Sequence, residues 1–164
     1  MALLKTLQGF LSTGEGRQAV AEVPLQLPDE GVGRQAVGVV GVLRETVLFS
    51  QFTDGGATVG TYQLQGSLPA GAVVLGSKVT VDAGFAGNTS AALTVGDGSD
   101  VDRYMTGTPS VFATAAAGIE TGVPSGAKLV TAPNRPTLTV TTATDFTAVS
   151  AGQVTVSLYF LQTA

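Results

Sequence analysis

The chain has 164 residues, 44% of them apolar and only 12% charged, with a net charge of −4, no Cys and no His. That length fits one domain of about 100 to 150 residues with an appendage. The missing side chains exclude disulfides, thiolate zinc sites, thiol nucleophiles and the commonest general base, and the eight basic residues, scattered from Lys5 to Arg135, form no stripe of the kind that grips nucleic acid.

In MALLKTLQGFL the residues Leu3, Leu4, Leu7, Phe10 and Leu11 fall at helical spacing. A lone helix of that length is marginal in water, so the spacing predicts a segment lying on a surface, either its own domain or a neighbouring subunit. The segment lacks the basic region, longer apolar core and cleavage site of a secretory signal. Next, GRQAV stands at Gly16 to Val20 and again at Gly33 to Val37, with VPLQLPDEG between the copies. Two copies are too few for a solenoid, which needs about three. Pro24 and Pro28 oppose a helix, so a hairpin or two extended segments is the reading, beside chance duplication of a short word. Residues 1–43 thus form an arm with extended segments for assembly contacts, and 44–164 a β domain. The longest apolar run, Ala36 to Leu43, has eight residues where a membrane helix needs roughly 20, so a soluble protein is expected.

From Val47 onward the dominant period is two. Val79, Val81, Ala83 and Phe85 share one face of a strand, as do Ala91, Leu93 and Val95 in the next. Leu138 and Val140 alternate with threonines, and Val154, Val156, Leu158 and Phe160 lie opposite Thr155, Ser157 and Tyr159. Asp54-Gly55, Gly87-Asn88 and Asp97-Gly98 tolerate positive φ and predict tight reversals. Strands are expected near 45–51, 60–66, 71–83, 90–96, 102–105, 110–114, 127–131, 136–142 and 153–161. Such a pattern suits an all-β antiparallel sandwich, a jelly roll ahead of an immunoglobulin-like topology.

Candidate chemistry is thin. Asp97, Asp100 and Asp102 place alternate oxygens in a glycine-containing loop, the donor type a hard cation requires. No Glu follows at the twelfth position and the flanks read as strands, so a hairpin turn with solvated carboxylates is the first reading and a metal site the weak candidate. Asp102 beside Arg103 also suits a surface pair worth no more than about 1 kcal/mol. Paired carboxylates serve glycoside hydrolysis, but sugar sites want aromatic platforms and the chain has no Trp and three Tyr. No phosphate-cradling loop with a following Lys-Ser/Thr is present. These residues imply no cofactor and no enzyme.

FTDGG at Phe52 to Gly56, SLPAGAVVL at Ser67 to Leu75, the run from Gly84 to Tyr104, TGTPSVFAT at Thr106 to Thr114 and the run from Pro136 to Phe160 together resemble a family of virion proteins of tailed bacteriophages. The resemblance covers roughly residues 44 to 161 and implies a capsid decoration (cement or auxiliary head) protein, a trimer on the outside of the shell. Its implied partners are the major capsid protein and its own copies, without nucleic acid, membrane or cofactor, on a virion assembled in the host cytoplasm. Under that reading Leu3, Leu4, Leu7, Phe10 and Leu11 anchor the arm. The GRQAV segments supply the subunit or capsid contact, with Arg17 and Arg34 pairing with acidic or carbonyl groups of a neighbour. Two other classes stay open: a tail- or fibre-associated sandwich binding a host receptor or glycan, and a β-sandwich hydrolase using Asp97, Asp100 and Asp102.

Overall fold

The structure, a computed structural model, describes residues 38–112 and 128–162 in full and 116–120 as backbone. Leu3, Leu4, Leu7, Phe10, Leu11, Arg17, Arg34 and both GRQAV copies lie outside these residues. Within them, period-two segments cut by glycine turns become eight strands: β1 (Val39–Leu48), β2 (Thr53–Asp54), β3 (Val59–Gln63), β4 (Ala72–Ala86), β5 (Ala91–Gly96), β6 (Ala116–Glu120), β7 (Thr137–Thr142) and β8 (Ala151–Gln162).

The strands form two antiparallel sheets, ordered β1-β8-β4-β6 and β2-β3-β7-β5. The all-β sandwich expected from the periodicity is what the chain builds. In the first sheet β8 takes the middle, paired with β1 through ten unbroken positions from Val39 opposite Gln162 to Leu48 opposite Gln153, and with β4 on its other side. The inward residues Val154, Val156 and Leu158 are fully buried against Leu93, Val95, Leu138 and Val140 of the second sheet within one core cluster. Phe52, between β1 and β2, joins that core to the sandwich end. Its ring meets Phe85 edge-on at 5.9 Å and lies tilted to Tyr62 and Phe146 at 5.9 and 6.1 Å, the offset geometries that ring quadrupoles favour.

Several sequence expectations need correction. The apolar run at Ala36 to Leu43 feeds β1, which therefore starts at Val39 rather than near 45, and residues 49–51 close as a 3-10 turn. Residues 102–105 are a turn, not a strand, because the loop closes on itself: the Met105 N–H donates to the Asp102 carbonyl at 3.0 Å. Around Ser110, Phe112 and Leu129 only isolated bridges form, to Ala92, Phe85 and Val73. Strand β6 arises in AAGIE, whose small residues carry no alternation to read. Ala83 does not share the buried face of Val79, Val81 and Phe85. A bulge after Val81 sets it opposite Gln153 and exposes it, because an extra residue flips the side chains that follow. At the Asp54-Gly55 reversal the positive φ values fall one step later, at Gly56 and Ala57, with the Gly56 N–H held by the Asp54 carboxylate at 2.9 Å.

Gly152 enters β8 at φ +143°, where an added Cβ would stand 2.5 Å from the Phe85 ring. Gly152→Ala should therefore cost at least about 1 kcal/mol from backbone strain alone, and Leu158→Ala, which opens a cavity between the sheets, about 2–5 kcal/mol. Both are read as shifts of the urea midpoint at constant slope.

Candidate functional site

The loop after β5 contains the one concentration of acids that the sequence offers, and its geometry follows from Asp97. The Asp97 Oδ1 accepts the N–H groups of Ser99 and Asp100 at 2.9 and 2.8 Å, and its Oδ2 stands 3.3 Å from the Arg103 Nε. Its carbonyl accepts the Asn134 amide at 3.2 Å, while Asn134 Oδ1 accepts the Tyr104 hydroxyl at 3.1 Å. Gly96 is obligatory beneath this turn, since a Cβ there would strike the Asp100 carbonyl. Burial pushes the Asp97 carboxyl upward, but the two backbone N–H bonds and the Arg103 charge outweigh it and hold the group below the ordinary aspartate value. Burial, with the nearby Asp97 charge, raises the Tyr104 phenol.

Asp100 and Asp102 are exposed beside this turn. Among the described residues no group of three His, Cys, Asp or Glu side chains is placed to hold a metal ion. Two adjoining hollows flank the loop. One, of about 160 Å³, runs from Asp97 and Tyr104 to Leu129 and Asn134, and the other, of about 290 Å³, is lined by Asp100, Asp102, Arg103, Met105, Thr106 and Lys128. Arg103 borders both.

A second polar cluster closes the seam between the sheets. Glu45, inward-facing on the edge strand β1, accepts the Tyr62 hydroxyl of β3 at 2.7 Å and the Gln65 N–H at 2.8 Å. Arg135 donates to the Leu64 carbonyl at 2.7 Å and to the Gln65 amide oxygen at 3.1 Å. The Gln65 amide pulls the Tyr62 phenol down, and the bond to Glu45 with burial outweighs it, so the phenol stays raised. These groups serve one another and the backbone, which is a structural use of charge.

The outer face of the first sheet is divided along the strands. Register places Thr46, Thr155 and Thr80 in one row across β1, β8 and β4. There Thr46 and Thr155 share a 2.7 Å hydroxyl contact and Thr155 donates to Asp82 at 2.7 Å. The next row is Arg44, Ser157 and Lys78, with Glu120 of β6 opposite Lys78. Beyond it the face turns apolar: Val42 beside Tyr159, then Val40, Leu161, Val73 and Leu129 in line. Val40 is 62% exposed, Val42 53% and Leu129 46%. No periodic signal in any one strand marks this row, because it exists only once four distant segments are aligned.

Of the residues singled out in the sequence, the structure brings Asp97, Asp100 and Asp102 into one loop as a turn. The expected pair of Asp102 with Arg103 is replaced by Asp97 with Arg103. The apolar row was missed, although the run from Ala36 to Leu43 was visible as its first part.

No family model matches the chain, and no curated protein matches it. Among solved structures it is similar to a chain of the "Cyanophage Pam1 capsid asymmetric unit", with 23% identity over 89% of this chain and 99% of that chain and a TM-score of 0.44.

Because the Asp97 carboxyl is depressed in the fold, its contribution is present above the unfolded value of about 3.9 and is lost as pH falls through the lower folded value. Asp97→Asn should cost about 1 kcal/mol near pH 7 and flatten the loss of stability between pH 5 and pH 2, measured by urea unfolding across about that range.

Proposed function

We propose that this chain is a structural protein of a phage virion that binds the outside of the capsid as a trimer and stabilises the shell. The observation that carries this reading is the exposed apolar row Val40, Leu161, Val73 and Leu129, together with Val42 and Tyr159. A contiguous apolar surface of this kind on a chain with 12% charged residues suits permanent cover by another protein. The partner class rests on the ordered segments that resemble phage decoration proteins. Those segments supply the turn before β3, strand β5 with its acidic loop, and strands β7 and β8. The nested pairing of β1 with β8 and of β3 with β7 supports the finer reading of the sandwich as a jelly roll.

In this reading the sandwich, with β1 from Val39 included, forms the outward domain and the residues before it the arm. Leu3, Leu4, Leu7, Phe10 and Leu11 bury apolar area on the lattice at about 25 cal/mol per Å². Arg17 and Arg34 of the two GRQAV segments bond acidic or carbonyl groups of a neighbour. Trimeric assembly makes three arms act together, since docking the first raises the effective concentration of the others. Cementing of this kind needs binding surfaces and no reaction, and the major capsid protein is the partner.

Light scattering should return a trimer, and the protein should co-sediment with undecorated shells in a saturable ratio. Deleting residues 1–12 should leave the circular-dichroism spectrum of the sandwich intact and weaken shell binding by at least about tenfold. Unchanged binding would remove the arm from the mechanism. A protein that ignores shells but binds host cells or isolated glycans would overturn the capsid assignment in favour of an attachment module.

A further inference from the structure

Two surfaces at opposite flanks of the first sheet are complementary to each other. On one flank lies β1, an edge strand of ten residues, with no bulge in its pairing to β8 and its other edge without a strand among the described residues. Free strand edges are normally blocked by charge, proline, bulges or a covering element. On the outer face of β1, Arg44 is the sole charge, and Val40 and Val42 stand exposed beside it. Arg44 has no ion-pair partner among the described residues, where the ion pair formed is that of Arg103 with Asp97.

On the other flank, beyond β4, the apolar row ends at Leu129, bridged to Val73. Past Leu129 lie the two hollows bordered by Arg103, and then Asp100, Val101 and Asp102. Val101 is 54% exposed between its two exposed acids. Arg103 is neutralised by Asp97, so Asp100 and Asp102 outnumber the remaining cation of that hollow, Lys128. One flank therefore presents valines with a guanidinium that has no ion-pair partner among the described residues, and the opposite flank presents Leu129 and Val101 with surplus carboxylates.

We propose that copies of this chain associate head to tail, the β1 flank of one copy seated on the Leu129 and Asp100–Asp102 flank of the next. The two patches differ, so the contact is heterologous and closes into a ring when the rotation between copies permits. A two-fold contact through β1 alone is disfavoured. A two-fold β1 register sets Arg44 against its own copy when centred on it and against an uncharged residue otherwise, because the outer face of β1 carries no carboxylate. Head-to-tail contact instead brings Arg44 to Asp100 and Asp102, places valines on Val101 and Leu129, and covers the β1 edge that no described strand pairs. The inference rests on the self-association in the proposed function and assigns its surfaces.

The test uses the full chain, with mass followed by light scattering over a dilution series at about 50 mM and about 500 mM salt, where exposed ion pairs are screened to different degrees. Arg44→Glu should weaken association by about tenfold at low salt, as should the double variant Asp100→Lys, Asp102→Lys. Combining all three reversals in one chain should restore most of the loss, while circular dichroism confirms that every variant is folded. Val42→Asp should weaken association at both salt concentrations, since its effect is burial and not screening. Unchanged association in the single-flank variants, or no recovery in the combined variant, would overturn the assignment of these flanks. A wild-type chain that is monomeric throughout would overturn it as well. Saturable co-sedimentation of that monomer with shells would show that the capsid reading survives independently.

Discussion

The pairing of β8 with both β1 and β4 is the constraint on which the rest of the structure depends. Strand β8 brings residues 151–162 against a segment more than a hundred residues earlier and another about 65 to 90 residues earlier, so the first sheet exists only after two long loops have closed. Closure of that kind is entropically costly and slow. What offsets it is the inward face, where Val154, Val156 and Leu158 are fully buried against the second sheet. Position in the middle of the sheet also explains why Thr155 and Ser157, outward-facing and polar, are themselves nearly covered. Each lies under neighbours on two strands.

Once β8 fixes the register, polar groups fall into places where the fold consumes them. Glu45 sits on the inner face of an edge strand, which would leave a carboxylate half-desolvated were it not for the Tyr62 hydroxyl and the Gln65 N–H from across the seam. Asp97 acts likewise in the loop after β5, satisfying two backbone N–H groups and holding Arg103. Its neighbour Asn134 ties the loop to Tyr104 and, through a bridge, to Leu68. Of the carboxylates that first suggest a cation site or a hydrolytic pair, Asp97 is held by turn geometry, while Asp100 and Asp102 stay exposed. The same physical chemistry that makes aspartate a metal ligand makes it a turn former, and here the backbone claims it.

What remains after these uses is surface. The outer face of the first sheet grades from a hydroxyl-rich row through a cationic row to an apolar row. With few charges in the chain, that face has little to keep it apart from other proteins.

The amino-acid sequence determined the strands themselves where alternation is strong. Leu93 and Val95, Leu138 and Val140, and Val154, Val156 and Leu158 are inward in the fold as the period of two requires, because successive side chains on a strand point to opposite faces whatever the rest of the chain does. Glycine-bearing reversals at Gly87 and Gly98 were legible for an equally local reason, their positive φ. Tertiary structure decided the rest. The bulge that turns Ala83 outward, the short strand at Ala116–Glu120 and the replacement of a strand by a turn at 102–105 answer to partners and hydrogen bonds that no window of sequence contains. The apolar row is the clearest case. Val40, Leu161, Val73 and Leu129 are four residues from four segments, and they become one surface only through a register set by pairings that span most of the chain.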